Sequence, residues 1–482
     1  MASVNEVRQI GAGTLVVVLT ATMMWFGNGL NPVWPLMWLA MLPVLWFALR
    51  SSRWAATVAA TSSMLLGGLS MWHYFHGVLG APALVWIALY SVVATVFAAG
   101  VLVFRALTLR GRVWSAMVTL PVVWVTFEYI RNLAMPHGSA GSLAYTQLKF
   151  LPFLQLASLT GPWGMTFFVL LLQSAVAIGI YLWPTKRKTA ALLVGTAAAA
   201  VAAVLTFGVM RLATPSGRTI RMGLISSDER AYANVADEGA PTLRLYRDYA
   251  SEAERMAAQG AQAIVMPEKL GVVIEPETQT MDSALQATAD KTGATIVAGV
   301  VRVASPLKYN EARVYVPHAQ VTRYDKQHML PPFESNLEPG TTLTILPGQR
   351  EILGVAICKD MDFARPARNY GETGAGVMLV PAWDFFVDDA WHGHIAVMRG
   401  VEDGFSVVRS AKGGFLTVSD WRGKILAETR SNSARFATLI ADVPAEHHKT
   451  LYQSLGDWFA WISMGLLALV LARLCWSRAV AH

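Results

Sequence analysis

The sequence predicts a multi-pass α-helical membrane protein that carries one layered α/β domain, and three observations lead to it. Of 482 residues, 54% are apolar and only 15% are charged, where a soluble domain carries about 25% charged residues. Long apolar stretches crowd the part before residue 212. The charge is also divided: residues 1–211 hold 12 Lys/Arg against two acids, Glu6 and Glu128, while the remainder holds 27 against 30. These features exclude a purely soluble enzyme and a disordered chain, and two cysteines cannot staple a chain of this length.

Crossing a bilayer takes about 20 consecutive apolar residues, because unpaired backbone groups in lipid are too costly for anything but a helix or a closed barrel. Seven stretches before residue 212 qualify, roughly 10–27, 31–49, 54–76, 80–104, 113–130, 161–183 and 189–211, and an eighth runs from Trp458 to Leu474. The first ends in Met-Trp-Phe-Gly-Asn-Gly with no small-residue cleavage pattern, so it reads as a retained span rather than a signal peptide.

Basic residues set the expected orientation. Arg8 precedes span one, Arg50 and Arg53 follow span two, and Arg105, Arg110 and Arg112 follow span four. Lys186, Arg187 and Lys188 follow span six, and Arg473 and Arg478 close span eight, whereas the connections after spans one and three carry none. Lys and Arg collect in cytoplasmic loops, which puts both termini in the cytoplasm and residues 212–457 on the far side. The expected domains are a seven-helix membrane domain over 1–211, an extracytoplasmic α/β domain over 212–457, and an eighth transmembrane helix with a short cytoplasmic tail over 458–482. The basic excess suits loops facing anionic membrane lipid, and no aromatic-interleaved basic stripe points to nucleic acid.

Strand-like runs alternate with helix-like ones in the second half. Strands are predicted at 220–225, 263–266, 295–300, 313–316, 352–357, 377–380, 407–408 and 414–418, and helices over 243–256, 281–291 and 391–404. Such alternation buries sheet against helix.

The topology separates the two cysteines, leaving Cys475 at the cytoplasmic end of span eight and Cys358 in the α/β domain. A lone buried cysteine is often only a small hydrophobe. Cys358, however, directly follows the apolar run 352–357, where a sharp turn can expose its sulfur. A thiol nucleophile needs a base for its proton and a cation or donor for the oxyanion. Two other strand ends offer them: Glu268 closes Ala-Ile-Val-Met-Pro-Glu, and Lys326 closes Val-Thr-Arg-Tyr-Asp-Lys.

The order Glu, Lys, Cys, each just past a strand, resembles the carbon–nitrogen hydrolase (nitrilase) superfamily, whose triad sits on an αββα sandwich. With eight spans and the α/β domain inserted between the seventh and eighth, the chain resembles the apolipoprotein N-acyltransferase family of bacterial inner membranes. The motifs are Val-Met-Pro-Glu268, Tyr-Asp-Lys326 with His-Met-Leu-Pro-Pro-Phe-Glu334, Gly354-Val-Ala-Ile-Cys358, Met398-Arg-Gly-Val-Glu402, Arg409, Gly413-Gly414 and Phe127-Glu-Tyr-Ile-Arg131. The chain departs from the family in Lys359-Asp360 after the cysteine and in Pro381-Ala-Trp-Asp384.

The resemblance implies a nitrilase-like domain in which Cys358 attacks a phospholipid ester, Glu268 is the general base and Lys326 stabilises the oxyanion. Glu334 would hold that lysine, with Lys359 and Glu402 in supporting places. The acyl group would pass through a thioester to the N-terminal amine of a diacylglyceryl lipoprotein, with no cofactor. The alternative is a membrane-tethered carbon–nitrogen hydrolase in which water or another amine resolves the thioester.

Met329, Phe333, Trp383 and Phe385, with Leu330 and Phe386, are candidates for a lipid-facing mouth around the thiol. His392 and His394 do not share one helical face, so no metal site is expected there. The arrangement of spans around one domain suggests a monomer.

Overall fold

The computed structural model describes residues 4–229, 240–274, 277–347 and 351–479. The chain divides into two compact units: one of residues 1–134, 141–212 and 455–482, the other of residues 135–140 and 213–454.

The first unit is helical: α1 (Val4–Gly27), α2 (Leu42–Ala48), α3 (Arg53–Gly68), α4 (Ala83–Leu109), α5 (Val113–Ala134), the single turns α6 (Leu151–Leu154) and α7 (Ala157–Thr160), α8 (Pro162–Leu182), α9 (Arg187–Leu212), and a last helix, Trp458–Ala479. Among the described residues, five segments are long and apolar enough to cross a membrane: Gln9–Gly27, α4, α5, α8 and α9. Two stretches expected as spans differ from single long helices. Residues 31–49 form a 3-10 turn, Trp34–Trp38, followed by the seven-residue α2. Pro35 and Pro43 open these two pieces, and proline, lacking an N–H and clashing with the preceding turn, starts helices but does not continue them. Over 54–76, α3 stops at Gly68 and gives way to a 3-10 turn and a π turn. A Cβ on Gly67 would meet Met24 Cβ at 2.7 Å, and one on Gly68 would meet the Tyr90 ring at 2.2 Å. The glycine pair therefore lets α1 and α4 close on α3, as small residues do between membrane helices. In the last helix the apolar part is Trp458–Leu474, and the side chain of Cys475 lies outside the described residues.

Glu128 on α5 is not a water-facing interface charge. It is 2% exposed and accepts hydrogen bonds from Trp124 Nε1 (3.1 Å), Ser142 Oγ (2.8 Å), the Leu143 N–H (2.8 Å) and Thr166 Oγ1 (2.9 Å).

The second unit is a four-layer sandwich. Its strands are β1 (Thr219–Ser226), β2 (Ala263–Val265), β3 (Val272–Ile274), β4 (Thr295–Ala304), β5 (Leu307–Tyr315), β6 (Thr322–Asp325), β7 (Thr344–Pro347), β8 (Ile352–Val355), β9 (Val377–Trp383), β10 (Ser406–Lys412), β11 (Phe415–Ser419), β12 (Ile425–Arg430) and β13 (Ala437–Pro444). One sheet runs β13-β1-β2-β4-β5-β6, with β3 also paired to β4, and the other runs β12-β11-β10-β9-β8-β7. The helices are α10 (Ala240–Ala258), α11 (Glu277–Thr292), α12 (Ala364–Glu372), α13 (Trp391–Asp403) and the short α14 (Leu451–Leu455).

Strand alternation decides the layers. Met222, Leu224, Val355, Leu379 and Val408 join one core between the sheets. Their neighbours turn outward: Ile225 packs with Tyr249 and Met256 of α10, and Met378, Val380 and Val407 pack with Ala367 and Ala396 of α12 and α13. Each buried Val, Leu, Ile or Met side chain here is worth about 1.5–3 kcal/mol relative to exposure. The parallel pairs β1–β2, β2–β4, β8–β9 and β9–β10 bring the chain ends after β2 and β8 to the same kind of edge, where sites form in open α/β sheets.

Candidate active site

Glu268 lies three residues past β2, on a backbone that needs a glycine opposite. A Cβ on Gly299 of β4 would stand 2.6 Å from Glu268 Cα and from Pro267 O. The Glu268 N–H donates to Ala382 O at 3.2 Å, which fixes the carboxyl between the two sheets.

Lys326 follows β6, and its N–H donates to Asn310 O at 2.8 Å. Its ammonium donates to Glu268 Oε1 at 2.9 Å and to Glu334 Oε2 at 2.8 Å. Glu334 also accepts the Leu330 N–H at 2.8 Å and pairs with Lys269. Asn310, on β5, joins the two carboxylates, its Nδ2 donating to Glu268 Oε1 (2.5 Å) and Glu334 Oε1 (2.8 Å). All five side chains are buried.

Burial acts to lower the Lys326 pKa, but the Glu268 and Glu334 carboxylates outweigh it and hold the ammonium well above the ordinary lysine range. For Glu334, burial opposes ionisation, yet Lys326 and Lys269 outweigh it and hold the carboxyl well below its usual range. A permanently charged lysine locked between two acids is a fixed electrostatic anchor rather than a proton carrier.

Cys358 begins a 3-10 turn, Cys358–Asp362, just beyond β8. Its φ is +41°, a left-handed conformation that costs a non-glycine residue roughly 1–2 kcal/mol and that sites retain when the surroundings over-determine it. The turn presents the sulfur in a half-buried position, 3.5 Å from Trp383 O and 3.9 Å from Arg409 Nη2. Burial and the Glu268 carboxylate push the thiol well above its ordinary pKa, against the pull of Lys326 and Arg409. The resting sulfur is therefore a neutral thiol, and a base must take its proton as it attacks. The amide of Lys359 has no hydrogen-bond acceptor among the described residues.

Asp360 clamps this turn. Its Oδ2 accepts from the Ile357 N–H (3.1 Å) and Tyr324 OH (2.8 Å), while Oδ1 accepts from the N–H groups of Gln327 (3.1 Å) and His328 (2.8 Å).

Not every expected residue converges on the thiol. The Lys359 side chain turns to Asp362 Oδ2 (3.3 Å) and His137 Nδ1 (3.2 Å). Glu402, on α13, is buried against Arg399 at 2.7 Å. His392 is an internal link: Nδ1 faces Asp362 Oδ1 at 3.1 Å and Nε2 faces Asp388 Oδ2 at 3.5 Å. Burial alone would lower its pKa, but Asp362 and Asp388 raise it to about 10.

Of the apolar candidates, Phe333 is exposed and its ring stands 5.3 Å from that of half-buried Phe385. Met329 is half-buried. Trp383 instead faces cations, with Lys412 Nζ 3.9 Å and Lys269 Nζ 5.7 Å from its ring centre. Asn310, Lys269 and Lys412 carried no sequence signal, and Asp384 marked only a departure from the family pattern. Only strand pairing gives each its place.

The sandwich and the buried acid–lysine–cysteine set define a class, the carbon–nitrogen hydrolases, and residues 230–452 match the carbon–nitrogen hydrolase family. Residues 20–175 match the apolipoprotein N-acyltransferase N-terminal domain. Along both segments the chain is similar to the apolipoprotein N-acyltransferases, the name its relatives carry. It is 25% identical to an apolipoprotein N-acyltransferase of Geobacter metallireducens, over 97% of this chain and 96% of that one. It is 24% identical to the Vibrio parahaemolyticus protein of the same name, over 73% and 74% of the two chains. Among solved structures, an amidase of the nitrilase superfamily from Nesterenkonia is similar at 21% identity, with a TM-score of 0.42, over 51% of this chain and 95% of that one.

Proposed function

We propose that the enzyme moves an acyl chain from a phospholipid, through a thioester on Cys358, to the N-terminal amine of a diacylglyceryl lipoprotein. The observation that carries this reading is the Glu268–Lys326–Glu334 set, held together at 2.8–2.9 Å, beside a cysteine turned outward at positive φ. In the first half-reaction Glu268 takes the thiol proton while sulfur attacks the ester carbonyl. Lys326 and the Lys359 N–H receive the developing oxyanion. Collapse of the tetrahedral adduct breaks the C–O bond, and Glu268 returns the proton to the leaving lysophospholipid alkoxide. In the second, the amine attacks the thioester, Glu268 removes its proton, and the thiol is regenerated with an amide formed. Each proton-transfer step contributes about 10²–10⁴-fold when the acid or base is positioned.

Both substrates carry lipid tails, so the chemistry belongs at a bilayer surface. We place the membrane domain at 1–211 and the catalytic domain at 212–457. Residues 458–482 form the eighth span and a short cytoplasmic tail, with the catalytic domain on the periplasmic face of a bacterial inner membrane and both termini cytoplasmic. The phased basic loops support this orientation. The mouth is formed by Met329, Phe333 and Phe385.

The test uses purified full-length protein in phospholipid vesicles with a diacylated lipopeptide. Mass spectrometry is expected to find a third acyl chain on the peptide and, without peptide, an acyl adduct on Cys358. Equal transfer by Cys358→Ala overturns the reading, and an adduct released only to water replaces it with hydrolysis.

A further inference from the structure

Arg409 stands outside the acid–lysine–cysteine set. It lies on β10, is 1% exposed, and holds Asp384 in a fork, Nη1 to Oδ2 at 2.7 Å and Nη2 to Oδ1 at 2.6 Å. The same Nη2 reaches the Cys358 sulfur at 3.9 Å, the long limit of an N–H···S contact. The surroundings are built around this fork. A Cβ on Gly414 would meet Asp384 Oδ2 at 2.3 Å, and one on Gly413 would meet Asp384 O at 2.4 Å. Adjacent glycines thus make room for the carboxylate that aims the guanidinium. Asp384 feels burial pushing its pKa up and Arg409 pulling it down, and the fork keeps the pair fixed in the dry interior.

The charged groups around the sulfur come from three strand ends and one strand interior: Glu268 after β2, Lys326 after β6, Asp384 after β9 and Arg409 within β10. Glu268 and Lys326 are bonded to each other. Among the described residues, Arg409 is the cation whose side chain contacts the sulfur itself. We propose that Arg409, aimed by Asp384, is a fourth catalytic group, which donates a hydrogen bond to the Cys358 sulfur as negative charge develops on it. The proposal rests on Cys358 being the nucleophile. As the S–H proton passes to Glu268, the electron pair left on sulfur faces Nη2–H. During attack that pair forms the C–S bond and the charge moves to the carbonyl oxygen beside Lys326. The same contact serves the reverse demand in the second half-reaction, when sulfur leaves as the amide forms. Asp384 is a positioning residue whose own charge works against the thiolate.

The test needs no lipid substrate. Alkylation of Cys358 by iodoacetamide is followed against pH in detergent-solubilised full-length protein, with Cys358→Ser as the blank. Removing a charge-assisted donor worth about 1.5–3 kcal/mol shifts a thiol pKa by one unit or more. Arg409→Gln is therefore expected to move the alkylation profile up by at least one pH unit, roughly tenfold slower at a given pH. Asp384→Asn keeps the cation and removes its counter-charge, so its profile moves down. Arg409→Lys restores part of the wild-type profile. A role confined to packing moves both profiles the same way or neither, and that outcome overturns the proposal. Thermal unfolding of each variant separates misfolding from a true shift: a variant that has lost its transition is replaced by the Arg409→Gln/Asp384→Asn double variant, whose profile must then lie above that of Asp384→Asn or below that of Arg409→Gln, whichever single variant folds. Acyl transfer by Cys358→Ala would end the nucleophile assignment but leave the alkylation result standing as a property of the thiol.

Discussion

The Asp360 carboxylate accepts the backbone N–H of His328 at 2.8 Å, so the turn that presents Cys358 is tied to the chain that leaves Lys326. The His328 ring stacks on Phe363 at 3.8 Å, closing the same junction from the other side. Nucleophile and anchor belong to different sheets, and this junction holds their spacing.

Asp360→Asn keeps the size of the side chain but replaces one acceptor oxygen with a donor facing N–H and O–H groups. Charged hydrogen bonds of this kind are worth about 1.5–3 kcal/mol. The variant should unfold at lower temperature by that order. Its acylation rate should fall at least tenfold, because small displacements of reacting groups are costly. A normal acylation rate in a folded Asp360→Asn protein would show that the junction does not set the spacing.

Asn310→Ala removes the donor shared by Glu268 and Glu334. Lys326 and Lys269 still neutralise both acids, so the fold should lose only about 1–2 kcal/mol. Acylation should drop by about 10- to 100-fold in kcat with KM for phospholipid nearly unchanged, since the lost contact orients the base and touches no substrate. Steady-state kinetics check the split.

Lys412 donates to Lys269 O at 2.7 Å, and burial pushes its pKa down to about 7. The folded protein gives up this proton near pH 7, while the unfolded chain keeps it to about 10.5. Between those values the unfolded state binds more protons, so this group makes stability rise with pH. Below about pH 7 the burial cost is felt in full. Lys412→Met should therefore flatten the rise in unfolding free energy between pH 7 and 10, and denaturant titrations at several pH values measure it. An unchanged slope counts against a buried neutral amine.

Glu128→Ala strands four donors, Trp124 Nε1, Ser142 Oγ, the Leu143 N–H and Thr166 Oγ1. Unsatisfied buried groups cost about 1–3 kcal/mol each. Relaxation makes the sum smaller, and a loss of roughly 2–4 kcal/mol is expected. Thermal unfolding in detergent checks it, and Glu128→Gln, which keeps an acceptor, should lose less.

The triad candidates were legible because each stands one to three residues past a strand, in the order Glu, Lys, Cys. Asn310 was not, since a polar residue between Tyr309 and Glu311 reads as solvent-facing until β5 is paired with β4 and β6. Lys359 was expected in a supporting place; in a 3-10 turn residues three apart eclipse, and its side chain turns to Asp362. Glu402 sits where the family motif puts it in sequence, yet it faces Arg399 within α13's own turn. In the membrane half, hydropathy marked the apolar stretches but could not tell a span from a broken one, because Pro35, Pro43 and the Gly67–Gly68 pair act through backbone geometry.

By itself, the chain's order of residues determined the partition into an apolar helical half and an α/β half, and it singled out Glu268, Lys326 and Cys358. Hydropathy runs and strand ends are local properties, written within about 20 consecutive residues. Only the tertiary structure decided which charges meet. Lys326 bonds Glu268 across 58 positions and Arg409 reaches Cys358 across 51, and such contacts follow from strand register between sheets. A shift of one residue would turn each of these side chains to the opposite face.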